Sequence, residues 1–466
     1  MANKRNYFDF DTIAAPATAI GGALCVIRVS GSDAHRITSH VVRKDIGFFE
    51  DRRSYRVSVY SNAGKKIEDG ILIKFSNPLS FTGEDCVELH IHGGGISVHR
   101  TIKSLLDAGA TPALPGEFSF RALKNGKMTL SQVEAVSDLI GAQSELMADL
   151  ALGNLDGRQE KYLDRVAKEL RSLASLSELG IDFSDQDIEE LSLATHKERL
   201  NPIVVELREL ERSFDSGNVL KNGVPIVLVG EPNAGKSSLF NSILGLDRSI
   251  VTPYAGTTRD VVSESLLVQG SEQNILLRFE DTAGIRSGES VVENDVERIG
   301  IDRSRKAINS ATLVFNVIDS TQSFSEHSAR IGEGKSEHFF VLTKIDLARP
   351  EDIEDLSNRL RDFGAKHLFL TSSKSGAGLD ELIRAAAKSI ESKLIRKPGE
   401  LVLTRRENAD AVGCSLVCFE RALAADDSAL FASDIREGLS ALSRLIGDTV
   451  SDDILERIFS EFCIGK

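Results

Sequence analysis

The stretch PIVLVGEPNAGKSSLFNSILG (225–245) constrains this chain more than any other. The apolar run PIVLVG leads into GEPNAGKS (230–237), which fits G-x-x-x-x-G-K-[ST], and a helical pattern follows. A strand that is apolar at consecutive positions has no face to give to water. It belongs inside a parallel sheet covered by helices on both sides. LLRFEDTAG (276–284), ATLVFNVIDS (311–320) and HFFVLTKID (338–346) share this texture, with helical stretches between them. The alternation predicts an α/β unit with crossover helices. Gly230 and Gly235 let the loop turn its backbone N–H groups toward phosphate oxygens, and the helix N-terminus adds partial positive charge. Lys236 is expected to reach the β- and γ-phosphates of a nucleotide, and the Ser237 hydroxyl to bind Mg²⁺. Asn233, Ala234, Gly235 and Ser238 complete the expected cradle.

Later motifs select the base. In DTAG (281–284), Asp281 suits a place behind the Mg²⁺ ligands. Thr282 and Ala283 lead to Gly284, whose N–H can meet the γ-phosphate. In TKID (343–346), the Asp346 carboxylate can accept both N1–H and N2–H of guanine, which adenine cannot match. Lys344 is expected along the base, with Thr343 heading the motif. TSSKSGAG (371–378), through Ser372, Ser373 and Lys374, suits the loop that closes over the base. AGTTRD (255–260) supplies Thr258 as a second Mg²⁺ ligand. These elements, in this order, resemble the translation-factor class of P-loop GTPases. Thr343 stands where asparagine is usual, which removes a side-chain amide but leaves the discriminating carboxylate. Ile285 stands where Ras-like enzymes carry a water-orienting glutamine. An apolar side chain cannot polarise water, so hydrolysis is slow or another residue assists. Arg259 and Arg286 are nearby, but surface arginines in such segments are commoner than charge-neutralising ones.

The 466 residues suffice for about three domains at roughly 150 residues each. A net charge of −14 repels phosphate overall, so a nucleic-acid partner needs a local basic patch. No apolar run approaches the roughly 18 residues of a membrane helix, and MANKRNYFDFDTIAA has no apolar signal core. No membrane association and a cytoplasmic location are therefore expected. The cysteines Cys25, Cys86, Cys414, Cys418 and Cys463 form no CxxC or zinc spacing. Cys414 and Cys418, one helical turn apart, read as buried helix cysteines in a reducing compartment.

Residues 1–125 alternate in short segments such as LCVIRVSG (24–31) and CVELHIHGGG (86–95), which predicts an α+β domain. In the second segment Val87, Leu89 and Ile91 face one side, and Glu88, His90 and His92 the other. An H-x-H strand pair can bind zinc or iron, although a solvated polar face is commoner. Residues 126–221 are helical, with Val166, Leu170, Leu173 and Leu176 forming one apolar stripe. Residues 222–392 hold the nucleotide motifs, and 393–466 are again helical. The simplest architecture is one all-α domain built from both helical stretches with the α/β domain inserted. Two separate helical domains are the alternative.

PNAGKSSLFN, IVTPYAGTTRD, DTAGIR, VERIGI and the terminal CIGK together resemble the MnmE/TrmE family of tRNA wobble-uridine modification GTPases. FTGEDCVELHIHGGG (81–95), PGEFSFRALKNGKMTLSQVEA (115–135) and GIDFSDQDI (180–188) extend the resemblance over nearly the whole chain. The resemblance implies a potassium-activated GTPase, in which K⁺ takes the place of an arginine finger when two nucleotide domains dimerise. The ion would contact the Asn233 side chain, with Thr252, Tyr254 and Thr257 on the loop TPYAGT (252–257). Pro253–Tyr254 differs from the family's commoner Asp-Ile or aliphatic form, but main-chain carbonyls serve with either side chain. The family's catalytic glutamate maps to Glu297, which would orient water indirectly and so fits an apolar Ile285.

For the first 125 residues the resemblance implies binding of a 5-formyltetrahydrofolate (or methylene-form) one-carbon donor through Arg28, Glu88, Lys127 and Lys466. A carboxylate such as Glu88 can accept a pterin N–H pair, and a cation suits the folate's glutamate tail. KMTL (127–130) departs from the usual K-x-D-L at Thr129. The CIGK match makes Cys463 a candidate nucleophile toward an electrophilic carbon or C6 of uracil. Implied partners are a second copy through the N-terminal domain, tRNA, and an FAD-dependent protein of the MnmG/GidA type in a heterotetramer. The implied activity couples GTP hydrolysis to adding an aminomethyl or carboxymethylaminomethyl group at C5 of the wobble uridine. One alternative is a regulatory switch GTPase of ribosome assembly or transport. It does not need the folate-like domain or the CIGK tail. Another is a folate-dependent aminomethyl carrier that uses GTP for timing.

Overall fold

The alternating strands LCVIRVS and CVELHIH lie in one sheet, and the fully buried strands VPIVLV and LVFNVID in another. The computed structural model describes residues 6–9, 11–182, 192–245, 263–270, 274–281, 308, 311–323, 336–394, 401–446, 452–460, 462 and 465. The chain divides into two compact units. One comprises Met1–Ser137, Asn154–Lys197 and Arg421–Lys466, and the other Asp138–Gly153 and Glu198–Glu420.

In the first unit, β1 (Ile13–Pro16), β2 (Leu24–Ser30), β3 (Ser54–Tyr60), β4 (Lys66–Phe75), β5 (Cys86–His92) and β6 (Thr111–Pro112) form a sheet. Its order is β3-β4-β5-β2-β1-β6. Cys25, Ile27 and Val29 of β2 and Val87, Leu89 and Ile91 of β5 are buried against the helices Ala34–Val42 and Gly95–Asp107. Arg28 and Glu88 lie opposite each other in the antiparallel β2–β5 register, on the other face. A one-residue slip would exchange these faces. Each large aliphatic side chain lost from the core would cost about 1.5–3 kcal/mol, so the register is firmly set. In the same unit the helix Arg158–Asp182 buries Val166, Leu170 and Leu173 and packs along the helix Ser428–Ile446. The helical stretches before and after the nucleotide motifs thus meet.

In the second unit, β7 (Val224–Val229), β8 (Ser263–Gln269), β9 (Asn274–Asp281), β10 (Leu313–Asp319), β11 (Glu337–Thr343) and β12 (His367–Leu370) form the other sheet, ordered β12-β11-β10-β7-β9-β8. All pairs are parallel except β8–β9. β7 and β10 are buried along their whole length, as apolar runs require. Phe279 on β9, Phe315 on β10 and Phe339 on β11 lie 6.1 and 6.0 Å apart by ring centroid and join the core formed with the helices Lys236–Leu244 and Leu379–Leu394. β9 and β10 flank β7 on opposite sides, so the chain order reverses at β7. Ligand crevices open at the carboxyl ends of strands where such a reversal occurs.

Asp138 anchors this sheet's approaches. Lys221, just before β7, donates to its Oδ1 at 2.7 Å, and Thr404 and Arg405 reach the same carboxylate at 3.3 and 3.5 Å. Breaking such a buried charged set by removing one partner costs about 3–5 kcal/mol. One sequence expectation is corrected in the helix Arg406–Ala424. Cys418 is buried, but Cys414 is exposed, outside the stripe of Val412, Leu416 and Phe419. Among the described residues no helix is long and apolar enough to cross a membrane.

Candidate functional site

At the carboxyl end of β7 the backbone turns at Gly230, where a Cβ would stand 2.2 Å from the Val317 carbonyl oxygen on β10. At Gly235 φ is +96°, and a Cβ would meet the Thr343 hydroxyl at 3.2 Å. Neighbouring strands therefore demand glycine at both places before any ligand is considered. Asn233 also takes a positive φ of 65°, which asparagine tolerates better than most residues. The helix Lys236–Leu244 starts right after Gly235, and its first N–H groups have no partners within the helix. Lys236 Nζ donates to the Gly230 and Glu231 carbonyls at 3.0 and 2.9 Å, arching over the loop. Asn233, Ser237 and Ser238 are exposed, whereas Ala234 is buried.

At the carboxyl end of β11, two consecutive residues grip two consecutive loop carbonyls. The Thr343 hydroxyl lies 2.6 Å from the Ala234 carbonyl oxygen and 3.2 Å from that of Ile318. Lys344 Nζ donates to the Asn233 carbonyl at 2.9 Å and to Asp319 Oδ2 at 2.6 Å. Thr343 is only 2% exposed, so it ties strand to loop within the protein. The threonine hydroxyl thus supplies a donated hydrogen bond to a loop carbonyl without the side-chain amide of an asparagine. The Ser372 hydroxyl donates to Asp346 Oδ1 at 2.6 Å. The closing loop is also fastened to the helix after the P-loop, by Ser242 donating to the Ser373 carbonyl at 3.1 Å. Lys374 is exposed on that loop. Asp281 ends β9 opposite Leu228 of β7.

Thr252, Pro253, Tyr254, Thr257, Thr258, Arg259, Thr282, Ala283, Gly284, Ile285, Arg286, Glu297, Cys463 and Lys466 lie outside the described residues. Sequence reasoning missed Asp319 and Thr321. Asp319 is 5% exposed and accepts from Lys344, from the Thr321 hydroxyl (2.7 Å) and from the Thr321 N–H (2.9 Å). Burial pushes its carboxyl up, but the hydrogen bonds from Lys344 and Thr321 outweigh this and hold it below the usual carboxylate range. The available signal was an acid at the carboxyl end of an apolar strand.

On the other face of the first sheet, Arg28 Nε and Nη2 both donate to Glu88 Oε1, at 3.1 and 2.9 Å. The guanidinium also lies over the rings of Phe81 and Phe118, 5.0 and 5.5 Å from their centroids. His90 Nε2 is 3.4 Å from the other Glu88 oxygen. Lys127 reaches the segment between β4 and β5, with Nζ donating to the Pro78 carbonyl at 3.0 Å and its stem against Gly83. Burial, partly offset by Arg28, pushes the Cys86 thiol up to about 12 and leaves it unreactive. His92 pairs with Glu68 at 3.1 Å, and among the described residues no cluster of three His, Cys, Asp or Glu could hold a metal. Near the chain's end, Phe462 packs on Phe459, and Gly465 (φ +97°) lies so close to Pro16 that a Cβ would stand 1.9 Å from its carbonyl oxygen. Pro16 is next to Ala15, the register partner of Arg28.

The strand order, the glycine-turned loop ahead of the helix and the Asp346–Ser372 pair behind β11 define the class: a P-loop GTPase domain carried within a larger chain. A model described as the MnmE helical domain matches residues 130–463, and one described as the GTP-binding protein TrmE N-terminus matches residues 12–127. Relatives named tRNA modification GTPase MnmE align end to end. That of Natranaerobius thermophilus is 36% identical, that of Coxiella burnetii 35% and that of Acetivibrio thermocellus 33%, each over 98% of this chain and 99% of the relative. The chain belongs to the MnmE family.

Proposed function

We propose that this protein is a potassium-activated GTP hydrolase that, with an FAD-dependent partner protein, adds an aminomethyl or carboxymethylaminomethyl group at C5 of the tRNA wobble uridine from a folate one-carbon donor. Its family membership makes it a GTP hydrolase acting in tRNA modification. The observation that carries the finer reading is the coexistence of two built sites in one chain: the strand-locked P-loop and the Arg28–Glu88 pair. A pure switch GTPase needs only the first.

At the P-loop, Lys236 exchanges the Gly230 and Glu231 carbonyls for phosphate oxygens. Asp346, oriented by Ser372, accepts the guanine N1–H and N2–H, and Lys344 lies along the base. Ser372, Ser373 and Lys374 close over it. Ser237 and Thr258 are the proposed Mg²⁺ ligands, and the exposed hydroxyl of Ser237 suits a hard cation. Asn233, Thr252, Tyr254 and Thr257 are the proposed K⁺ ligands. Both ions supply positive charge against the phosphates. Asp281, Thr282, Ala283 and Gly284 face the γ-phosphate, and Glu297 orients the attacking water.

On the first sheet, Arg28, Glu88, Lys127 and Lys466 hold 5-formyltetrahydrofolate or its methylene form. Glu88 has the acceptor chemistry a pterin N–H pair needs, and the partly exposed Phe81 offers a flat apolar ring beside it. Cys463 serves as the thiol nucleophile. We assign residues 1–125 to folate binding and homodimer formation, 126–221 and 393–466 to the helical domain, and 222–392 to the nucleotide domain. The proposed assembly is a heterotetramer with an FAD-dependent MnmG/GidA-type partner that acts on tRNA in the cytoplasm. Two measurements test this: GTP hydrolysis in KCl against NaCl, and modified wobble uridine in tRNA from cells lacking the protein. Equal rates in the two salts would remove the potassium assignment, and unchanged modification would overturn the proposal.

A further inference from the structure

We infer that Asp319 is a positioning residue for guanine recognition, holding the Lys344 side chain across the mouth of the P-loop so that base site and phosphate cradle act as one body. The inference rests on reading the P-loop as a GTP site. In the parallel β10–β11 register Asp319 stands opposite Thr343, which puts its carboxylate beside the next residue, Lys344. Four donors converge on its two oxygens: Lys344 Nζ at 2.6 Å, the Thr321 hydroxyl at 2.7 Å, the Thr321 N–H at 2.9 Å and Gln322 Nε2 at 3.4 Å. A carboxylate so satisfied stays charged although nearly buried. It is therefore a fixed anchor for the lysine.

Lysine has a flexible four-carbon stem and no geometric preference of its own. Here its nitrogen is held at two points, Asp319 Oδ2 and the Asn233 carbonyl, and its backbone takes φ 58°. A non-glycine residue keeps that conformation where surrounding contacts over-determine it. Thr343 grips the adjoining Ala234 carbonyl. Without Asp319, Lys344 would lose its distal anchor, and the stem would no longer be laid out along the base.

The test uses the full-length protein with fluorescent GDP titration and steady-state GTP hydrolysis. Asp319→Asn is expected to weaken GDP binding about tenfold, as loss of one charge-assisted hydrogen bond does. KM for GTP should rise in step while kcat stays within about twofold, because the interaction is made equally in ground and transition states. Asp319→Asn combined with Lys344→Met should be no weaker than Lys344→Met alone, since one residue acts through the other. If Asp319→Asn fails to fold, Thr321→Val removes one donor and should weaken binding about two- to threefold with the same non-additivity against Lys344→Met. Binding within about twofold of wild type, or additive effects, overturns the inference. A wild-type protein that does not bind GDP would instead overturn the GTP-site reading.

Discussion

The cradle at the P-loop is made by main-chain groups close together in sequence, whereas the Arg28–Glu88 site is made by side chains from distant segments. Lys236 reaches a carbonyl six residues back, and the ties that Thr343 and Lys344 make to the loop end on its carbonyls, although Lys344 also reaches the Asp319 carboxylate. Arg28 and Glu88 are 60 residues apart, and Lys127 meets a loop 49 residues earlier. A site whose acceptors are backbone atoms should tolerate a changed side chain if one donor remains. A site made of side chains should not.

Substitutions can break that contrast. Lys236→Ala should lower GTP hydrolysis by about 10³-fold, since it removes a charged donor from the phosphate oxygens, and leave folate binding untouched. Phosphate release and folate titration would check both. Asp346→Asn should lower GDP affinity about 10²-fold by leaving a guanine donor unmatched, and xanthine diphosphate should then compete, because an amide can donate to its extra carbonyl. On the other sheet, Arg28→Ala should weaken 5-formyltetrahydrofolate binding about tenfold or more, through an orphaned Glu88 charge, with GTP hydrolysis unchanged. An equal loss in both activities would erase the contrast.

Smaller effects sharpen it. Thr343→Asn should keep GDP affinity within about threefold, because an amide also donates to the Ala234 carbonyl. Thr343→Val should cost about 1–3 kcal/mol by leaving buried carbonyls unmatched, read from thermal melts. Smallest is a pH effect. The folded carboxyl of Asp319 lies below its unfolded value. Its stabilising contribution is therefore full above an unfolded value of about 3.9 and fades as pH falls through the folded value. Asp319→Asn should flatten the acid limb of the melting profile.

The two sites differed equally in how far they could be read from sequence. PIVLVG and GEPNAGKS announced strand, turn and helix because the constraint is local: apolar runs must be buried, and a phosphate loop must turn at glycine. Asp346 could be proposed from sequence because the chemistry of guanine names a carboxylate. Asp319 was not, since nothing links it to Lys344 until parallel pairing sets β10 beside β11. Arg28 and Glu88 were reached only through family resemblance. Their partnership depends on an antiparallel register that alternation makes plausible without specifying which strand is the neighbour. Cys414 was misjudged because helical spacing gives the angle between two residues but not which of them turns inward.

The carboxylate of Asp138 gathers Lys221, Thr404 and Arg405, so the chain enters and leaves the nucleotide sheet at nearly one point. A segment whose two ends share a clasp can be swapped, circularly rejoined or lengthened internally without re-routing the chain on either side. Residues 222–403 are, in that sense, a pendant whose two ends meet at one buried negative charge.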